Sequence, residues 1–525
     1  MLQDKKILLI CKESFSFPFY FIAQDLLSKN NKVGAFFIHP EESYYNKCYY
    51  NNNTFYKFKE NLKEVKLYDL KELCVSFNLN HKNHPVDIAY LENIEKEYSY
   101  YKNLNLQITS SQLMTRHYHT RNFFSYSDLT QSQYFLELGY KRVIEVLEDF
   151  NPDLIIDIED GELLRTIINE VAFNKKIPYL NIDYPRFEGY KIPTYCLGVK
   201  LEEYLIKEYE TFLLRTPDEL ANEYDYVLKM RQKSNIMSNE FKGTITSQYQ
   251  PSSLYFTLKY LLGKIFYFWN VFITNKNLKL KRKNILFSKP FKHLLFYVKV
   301  ELKKQLLLRP NKFFDKPEKE DKYVYMPLHL IPESTTFVKA PFYINELFII
   351  EQISKSLPIG WKLYVKEHQA MLGERSFEFY KNVRKFPNVK LVQLNYYNDP
   401  KPWIENAKGV ITITGTGAYE AAMLGKKSIV FGDVPFTLIE GITRINSFEE
   451  LPSLIASFDS IDNIKSCAAY IAAIKSVGME INLKYLMTEG ETILRNEKRL
   501  TDEFQKQLDR LIMFFEKAYN RYKTF

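Results

Sequence analysis

Three short apolar runs, Lys362–Val365, Val410–Ile413 and Ser428–Phe431, lie within one stretch of the chain, and polar or glycine-bearing turns flank each of them. Runs of this length bounded in this way read as buried strands. Strands of that kind separated by helical stretches build a parallel α/β sheet, and such sheets bind ligands at the carboxyl ends of their strands. Two of these ends are polar: Lys366-Glu367-His368 follows the first run and Thr414-Gly415-Thr416-Gly417 the second. The glycine-rich turn leads into a helical pattern at Ala418–Leu424, so backbone N–H groups there can meet a phosphate. Lys366 and His368 are placed to meet the same anion. Together they outline a nucleotide-phosphate pocket.

A chain of 525 residues exceeds what one core fills, so at least two domains are expected. The beginning has a βαβ pattern (strand Lys6–Ile10, helix Phe19–Leu27, strand Val33–Ile38) without a GxGxxG fingerprint. Glu42–Tyr56 reads as a loop, and the region to about Leu129 as helical and surface-rich. A second βαβ unit follows a helix at Gln131–Phe150: strand Leu154–Ile158, helix Glu162–Phe173 and strand Tyr179–Ile182. The pattern then becomes helical and basic, and a further α/β half starts at Tyr323–Pro327. That half includes a helix at Leu347–Ser356 and a strand at Val389–Leu394. The expected division is an N-terminal Rossmann-like domain (1–200), a helical basic bridge (201–322), a second Rossmann-like domain carrying the phosphate pocket (323–487) and a C-terminal helix (488–525). Two Rossmann-like halves joined by a bridge describe the GT-B architecture, whose cleft lies between the halves.

Charge is concentrated in the bridge. Between Pro251 and Pro310 there are thirteen Lys/Arg and one acid, Glu301, a balance of +12 that leaves −3 for the rest of the chain. The same segment carries SLYFTLKYLLGKIFYFWNVFIT, long enough to span a bilayer but interrupted by Lys259 and Lys264. One reading is an aromatic, basic helix on an anionic membrane surface; the other is a core helix followed by a solvated basic one. No nucleic-acid module accompanies the charge, so nucleic acid is not an expected partner. The five cysteines are scattered without a CxxC pair, which points to free thiols in a reducing compartment. The first residues, MLQDKKILLICKE, are too soon charged for a signal peptide, so a cytoplasmic protein is expected.

YVYMPLHLIPESTT (Tyr323–Thr336), LPIGWKLYVKEHQAMLGERS (Leu357–Ser376), FPNVKLV (Phe386–Val392) and ITGTGAYEAAMLGKKSIVFG (Ile413–Gly432) resemble the capsule polysaccharide biosynthesis proteins. That group includes the retaining β-Kdo transferases. NPDLIIDIEDGELLR and IPYLNIDYPRF in the first half resemble it more weakly. Gln369 and Lys427 stand where the family pattern has proline. The resemblance implies a cytoplasmic GT-B glycosyltransferase, peripheral at the inner membrane. Such an enzyme takes its sugar from a nucleotide donor, commonly a CMP-linked ulosonic acid, and adds it to a lipid-linked or polysaccharide acceptor of capsule or lipopolysaccharide. It implies no cofactor and no metal, and the acidic DIED stretch (Asp157–Asp160) is not a convincing metal motif. Two rivals stay open: a UDP-sugar transferase or UDP-GlcNAc epimerase of the same fold, and a non-catalytic scaffold of polysaccharide assembly.

His368, at a strand end, can neutralise or protonate a leaving phosphate, or be an ordinary loop histidine. Lys366 is an electrostatic partner for the donor's diphosphate or monophosphate, or a common surface lysine; Glu367 and Arg375 are further donor-binding candidates, with a simple pairing of Glu367 to Lys366 or Arg375 as the alternative. Thr414, Gly415 and Thr416 suit a phosphate, or form an ordinary helix cap. Glu420, in the first turn of the helix, is expected to bind ribose hydroxyls by analogy with GT-B enzymes. His329 and Glu333 are expected to point toward the cleft. In the first half Asp157, Glu159, Asp160 and Glu162 cluster at a strand end, with Glu159 and Asp160 the reactive candidates. Double displacement needs a carboxylate nucleophile and inversion a general base; a solvated turn opening a helix is the bland alternative. Arg165 and Arg186 are expected to hold a sugar carboxylate in the bidentate fork of arginine.

Overall fold

The computed structural model describes residues 2–38, 54–80, 82, 85–110, 127–159, 161, 163–236, 254–269, 290–308, 313–331, 334–392, 397 and 399–523. Asp160, Glu162, Glu333 and most of the Glu42–Tyr56 stretch lie outside the described residues.

The first sheet is built on β1 (Lys6–Cys11), whose KILLIC sequence is buried along almost its whole length, as a central parallel strand covered on both faces must be. Parallel to it run β2 (Lys32–Phe37), β3 (Lys66–Asp69), β4 (Leu154–Ile156) and β5 (Tyr179–Asp183). With antiparallel β6 (Tyr190–Thr194) and the two-residue β13 (Met479–Glu480), the order is β13-β6-β5-β4-β1-β2-β3. The second sheet is wholly parallel, in the order β12-β11-β10-β7-β8-β9. Its strands are β7 (Lys322–Pro327), β8 (Trp361–Lys366), β9 (Val389–Leu391), β10 (Gly409–Thr412), β11 (Ser428–Val430) and β12 (Ile442–Arg444). Each half therefore starts at its middle, builds outward on one side and then crosses to the other. That is the doubly wound pattern, with a switch point between β1 and β4 in one half and between β7 and β10 in the other.

The helix Leu129–Phe150 ahead of β4 shows how locally these elements are specified. Asp128 and Gln131 form a reciprocal capping box at its start, and Asn151 ends it in the left-handed region at φ 50°.

The described residues between 201 and 308 are mostly helical, and the first two of these helices are not free-standing. Glu203–Leu213 and Ala221–Gln232 pack on Ile464–Val477, burying Tyr204, Leu205, Val227 and Met230 in the core of the second half. β13 (Met479–Glu480) pairs with β6, so the chain returns to the first half several residues before the 488 boundary read from its charge pattern. The helices Leu483–Asn496 and Asp502–Tyr522, capped by Asn482 and Thr501, then lie on the first sheet. Phe504 meets Phe21 with ring centroids 4.9 Å apart, and Tyr195 Oη donates to the Ala518 carbonyl over 2.8 Å. Two Rossmann halves with the last helices recrossing onto the first make this a GT-B architecture.

Candidate functional site

At the second switch point β10 ends in Thr412 and the chain turns through Gly415 into the helix Gly417–Met423. The turn is held from below. His329, which follows β7, accepts the Thr414 N–H at Nε2 over 3.3 Å and lies 3.1 Å from Thr412 Oγ1. Thr412 Oγ1 in turn accepts the Gly415 N–H over 3.2 Å. A Cβ on Gly415 would come within 2.5 Å of Thr412 Oγ1 and 3.1 Å of His329 Nε2, so this close approach requires glycine.

His329 rests on a buried ionic array. Its backbone N–H donates to Glu346 Oε1 over 2.6 Å, and Nδ1 lies 3.5 Å from the same oxygen. Arg375 bridges Glu346 (2.6 Å) and Glu367 (2.9 Å) and donates to the His329 carbonyl over 2.7 Å. Tyr380 Oη donates to Glu367 over 2.8 Å, and Glu367 accepts the His368 N–H over 2.7 Å. The Arg375 charge holds the Glu346 carboxyl below its ordinary range against the cost of burial. The array departs from one expectation: His329 is buried beneath the turn, where it positions the chain, instead of lining the cleft. Glu367 pairs with the buried Arg375, one of the pairings open from the sequence, and together they hold the Lys366–His368 segment. Thr414 is also turned toward protein groups: its N–H is taken by His329, and its buried hydroxyl is 3.5 Å from that of Thr336.

Lys366, His368, Thr416 and Glu420 remain partly exposed at the strand ends. Burial lowers the Lys366 pKa to about 8, against the pull of Glu420 and Asp399. Burial also drives His368 down to about 4, and the Arg375 charge acts in the same direction. His368 Nδ1 accepts the Ala370 N–H over 3.2 Å, so at neutral pH the ring is uncharged with its proton on Nε2. This favours a hydrogen-bond donor to phosphate over the proton donor considered from sequence. Burial raises Glu420 to about 7, opposed by a hydrogen bond from Thr416 and by the charges of Lys366 and Arg186. Arg186 belongs to the first half, just past β5, so the two halves meet electrostatically at this point.

The acidic cluster after β4 is also built on a buried arginine. Arg165 donates from Nε to Asp157 over 2.6 Å and from Nη1 to Glu159, while Tyr179 Oη donates to Asp157 over 2.7 Å. Arg165 and Asp157 are wholly buried; the Glu159 side chain retains 22% exposure and lies 4.0 Å from Lys12 Nζ. Arg165 therefore does not hold a sugar carboxylate. It orients Glu159, the described acid of the cluster that reaches solvent. Arg186 is half-buried, 6.0 Å from the centre of the Tyr184 ring.

The cleft is pinned by Lys339 of the second half, whose Nζ lies 2.6 Å from Asp183 Oδ1 at the end of β5, and by Tyr470 Oη donating to the Pro185 carbonyl over 2.7 Å. The sequence reading missed Glu346, Tyr380, Tyr179, Lys339 and Asp183. Glu346 opens a helix, where an acid needs no other reason, and nothing in the sequence pairs it with Arg375.

No family model and no curated protein matches the chain. Among solved structures it is similar to the β-Kdo 2,7 transferase KpsC of Thermosulfurimonas dismutans, with 13% identity over 68% of this chain and 90% of that one and a TM-score of 0.31. It is similar also to the UDP-GlcNAc 2-epimerase of Methanocaldococcus jannaschii, with 12% identity over 90% and 99% and a TM-score of 0.23. The MnaA–UDP structure of S. aureus covers 88% of this chain and 94% of its own at 10% identity and a TM-score of 0.23. Superpositions this loose map no residue of this chain onto one of theirs, and the architecture rests on the strand order.

Proposed function

We propose that the protein is a glycosyltransferase moving a sugar from a nucleotide donor onto a capsule or lipopolysaccharide glycan at the inner face of the membrane. One observation carries this reading: charged groups of the two halves meet at the strand ends, the Arg186 charge of the first half acting on Glu420 beside Lys366 in the second, and Lys339 of the second pairing with Asp183 of the first. The second half further offers the Nε2–H of His368, and the first the Glu159 carboxylate just past β4.

A leaving nucleotide phosphate has its charge met by Lys366 and accepts a hydrogen bond from His368. The Thr416–Glu420 pair sits where a ribose hydroxyl can bond. Glu159, held by Arg165, takes the acceptor hydroxyl proton in an inverting reaction or attacks the anomeric carbon in a retaining one. Arg186 suits a carboxylate on the transferred sugar. The resemblance along Trp361–Gly432 makes a CMP-linked ulosonic acid, Kdo or a relative, the first donor to test. In this reading the side chains handle the phosphate charge, and no cofactor is called on.

The test is thermal stabilisation against CMP, CDP, UDP, GDP and their sugars, followed by turnover with the stabilising donor. A CMP-specific shift that His368→Ala abolishes supports the reading. A UDP-specific shift moves it to a UDP-sugar transferase or a UDP-GlcNAc epimerase. No shift with any nucleotide favours the scaffold.

A further inference from the structure

The helices Leu254–Phe268 and Pro290–Leu308 pack on each other, joined where Lys264 Nζ sits 4.1 Å from the centre of the Tyr297 ring. Phe296, Leu307 and Leu308 are buried, the two leucines within the core of the second half. The opposite face is open. Tyr255, Leu262, Phe266, Trp269, Phe291 and Leu306 are each more than half exposed. This excludes the core-helix reading for the described part of the segment, because a core helix does not leave such side chains in water. Contiguous exposed aromatic and aliphatic groups mark an interaction surface.

The charges on these helices select the partner. Lys259, Lys292 and Lys299 are exposed around the apolar face. The single acid on either helix, Glu301, is buried and accepts a hydrogen bond from Gln305 over 2.7 Å. The face thus presents cations and no carboxylate, so a second copy of this chain would be repelled and an anionic surface attracted. Beside it lies a groove of about 1000 Å³ whose lysines, Lys299 and Lys303, face Glu374 and Glu378 across it, so the uncompensated positive charge belongs to the two-helix face and not to the groove. No described helix is long and apolar enough to cross a membrane. A short aromatic helix ringed by lysine lies in the interface plane, with rings and aliphatic chains among the headgroups.

We infer that this two-helix face docks the protein onto an anionic bilayer. The inference deepens the function proposed above by naming where the protein meets the membrane, and it rests on that reading only for why a membrane is needed. The test is flotation of the full chain with phosphatidylglycerol-containing vesicles and with pure phosphatidylcholine vesicles, at low and high salt. Expected are binding to the anionic vesicles alone, weakening with salt, and at least a tenfold loss in the double variants Phe266→Ser/Trp269→Ser and Lys259→Glu/Lys299→Glu. These residues are exposed, so circular dichroism should show both variants folded. Equal binding to neutral vesicles, no vesicle binding by the folded protein, or a dimer that the aromatic variant abolishes would each overturn the inference. Nucleotide-induced stabilisation is read on the same samples. Lost vesicle binding with intact nucleotide binding sinks the docking face alone; the reverse pattern sinks the donor reading alone.

Discussion

Arg165 in the first half and Arg375 in the second each lie buried between two carboxylates, and in each case a tyrosine hydroxyl donates to one of the pair. The two arrays differ in their outermost member. In the first, Asp157 is sealed and Glu159 keeps an edge in solvent, so the array presents an oriented carboxylate. In the second, Glu346 and Glu367 are both sealed, and what reaches the cleft is the adjoining Lys366 and His368. The same buried construction thus yields an anionic face in one half and, in the other, a face that carries a lysine and an uncharged histidine. A buried ion network is weak evidence for stability, because desolvation offsets much of the attraction. Its value here is positional, since each network fixes the chain direction at a strand's carboxyl end.

The largest test of this parallel is removal of each arginine. Arg375→Ala strands two buried carboxylates and should cost about 3–5 kcal/mol, read by denaturant unfolding. Arg165→Ala should cost the same or somewhat less, because Glu159 can turn to water. A large loss in one half and none in the other would break the equivalence. Next comes the division of labour. Glu159→Gln should leave donor-induced stabilisation intact and lower turnover at least about 100-fold. Lys366→Ala should weaken donor binding about tenfold, roughly 1.4 kcal/mol, with the fold unchanged. If both variants lose donor binding alike, the two faces do not have separate roles.

A pH series sharpens the cationic side. Lys366 titrates near 8, so donor affinity should fall as pH rises through that value, whereas Lys366→Arg should keep it level. The smallest effect concerns Glu420. Its folded pKa, about 7, stands above the ordinary 4.5, so the neutral form is the one the fold favours. That contribution is complete below 4.5 and lost as pH rises through 7. Glu420→Gln should therefore stabilise the fold at pH 8 by the order of 1 kcal/mol after solvent screening, seen as a raised Tm, and leave Tm unchanged at pH 4.5.

The second sheet was the more legible half. β8, β10 and β11 are short apolar runs closed by polar turns, and the strand-end rule led to Lys366 and His368, while Glu420 entered by analogy with GT-B enzymes. Edge elements were not legible. β3 lies in a region that reads as helical, β6 carries Pro193, β12 ends in the exposed Thr443-Arg444, and β13 is two residues long with its partner far back in the chain. The burial of Glu367 and Arg375 was equally hidden, because Glu346 and Tyr380, which engage them, lie outside the motif that draws attention to the pair. Arg165 misled for a related reason. An arginine in a helix after an acidic strand end looks like a free ligand until Tyr179 and Asp157 close around it.

The pairing of β13 with β6 also has a consequence for synthesis. The first half is the first to leave the ribosome, yet one edge strand of its sheet and the helices covering Leu9, Phe21 and Ile182 come from residues 479–522. Vectorial folding, in which the leading domain finishes before the next emerges, is closed to this chain. Its first half must wait, with part of its apolar surface open, while the whole second half is made, and is completed only when the late helices arrive. A nascent chain halted within the second half should therefore be a strong client for holding chaperones.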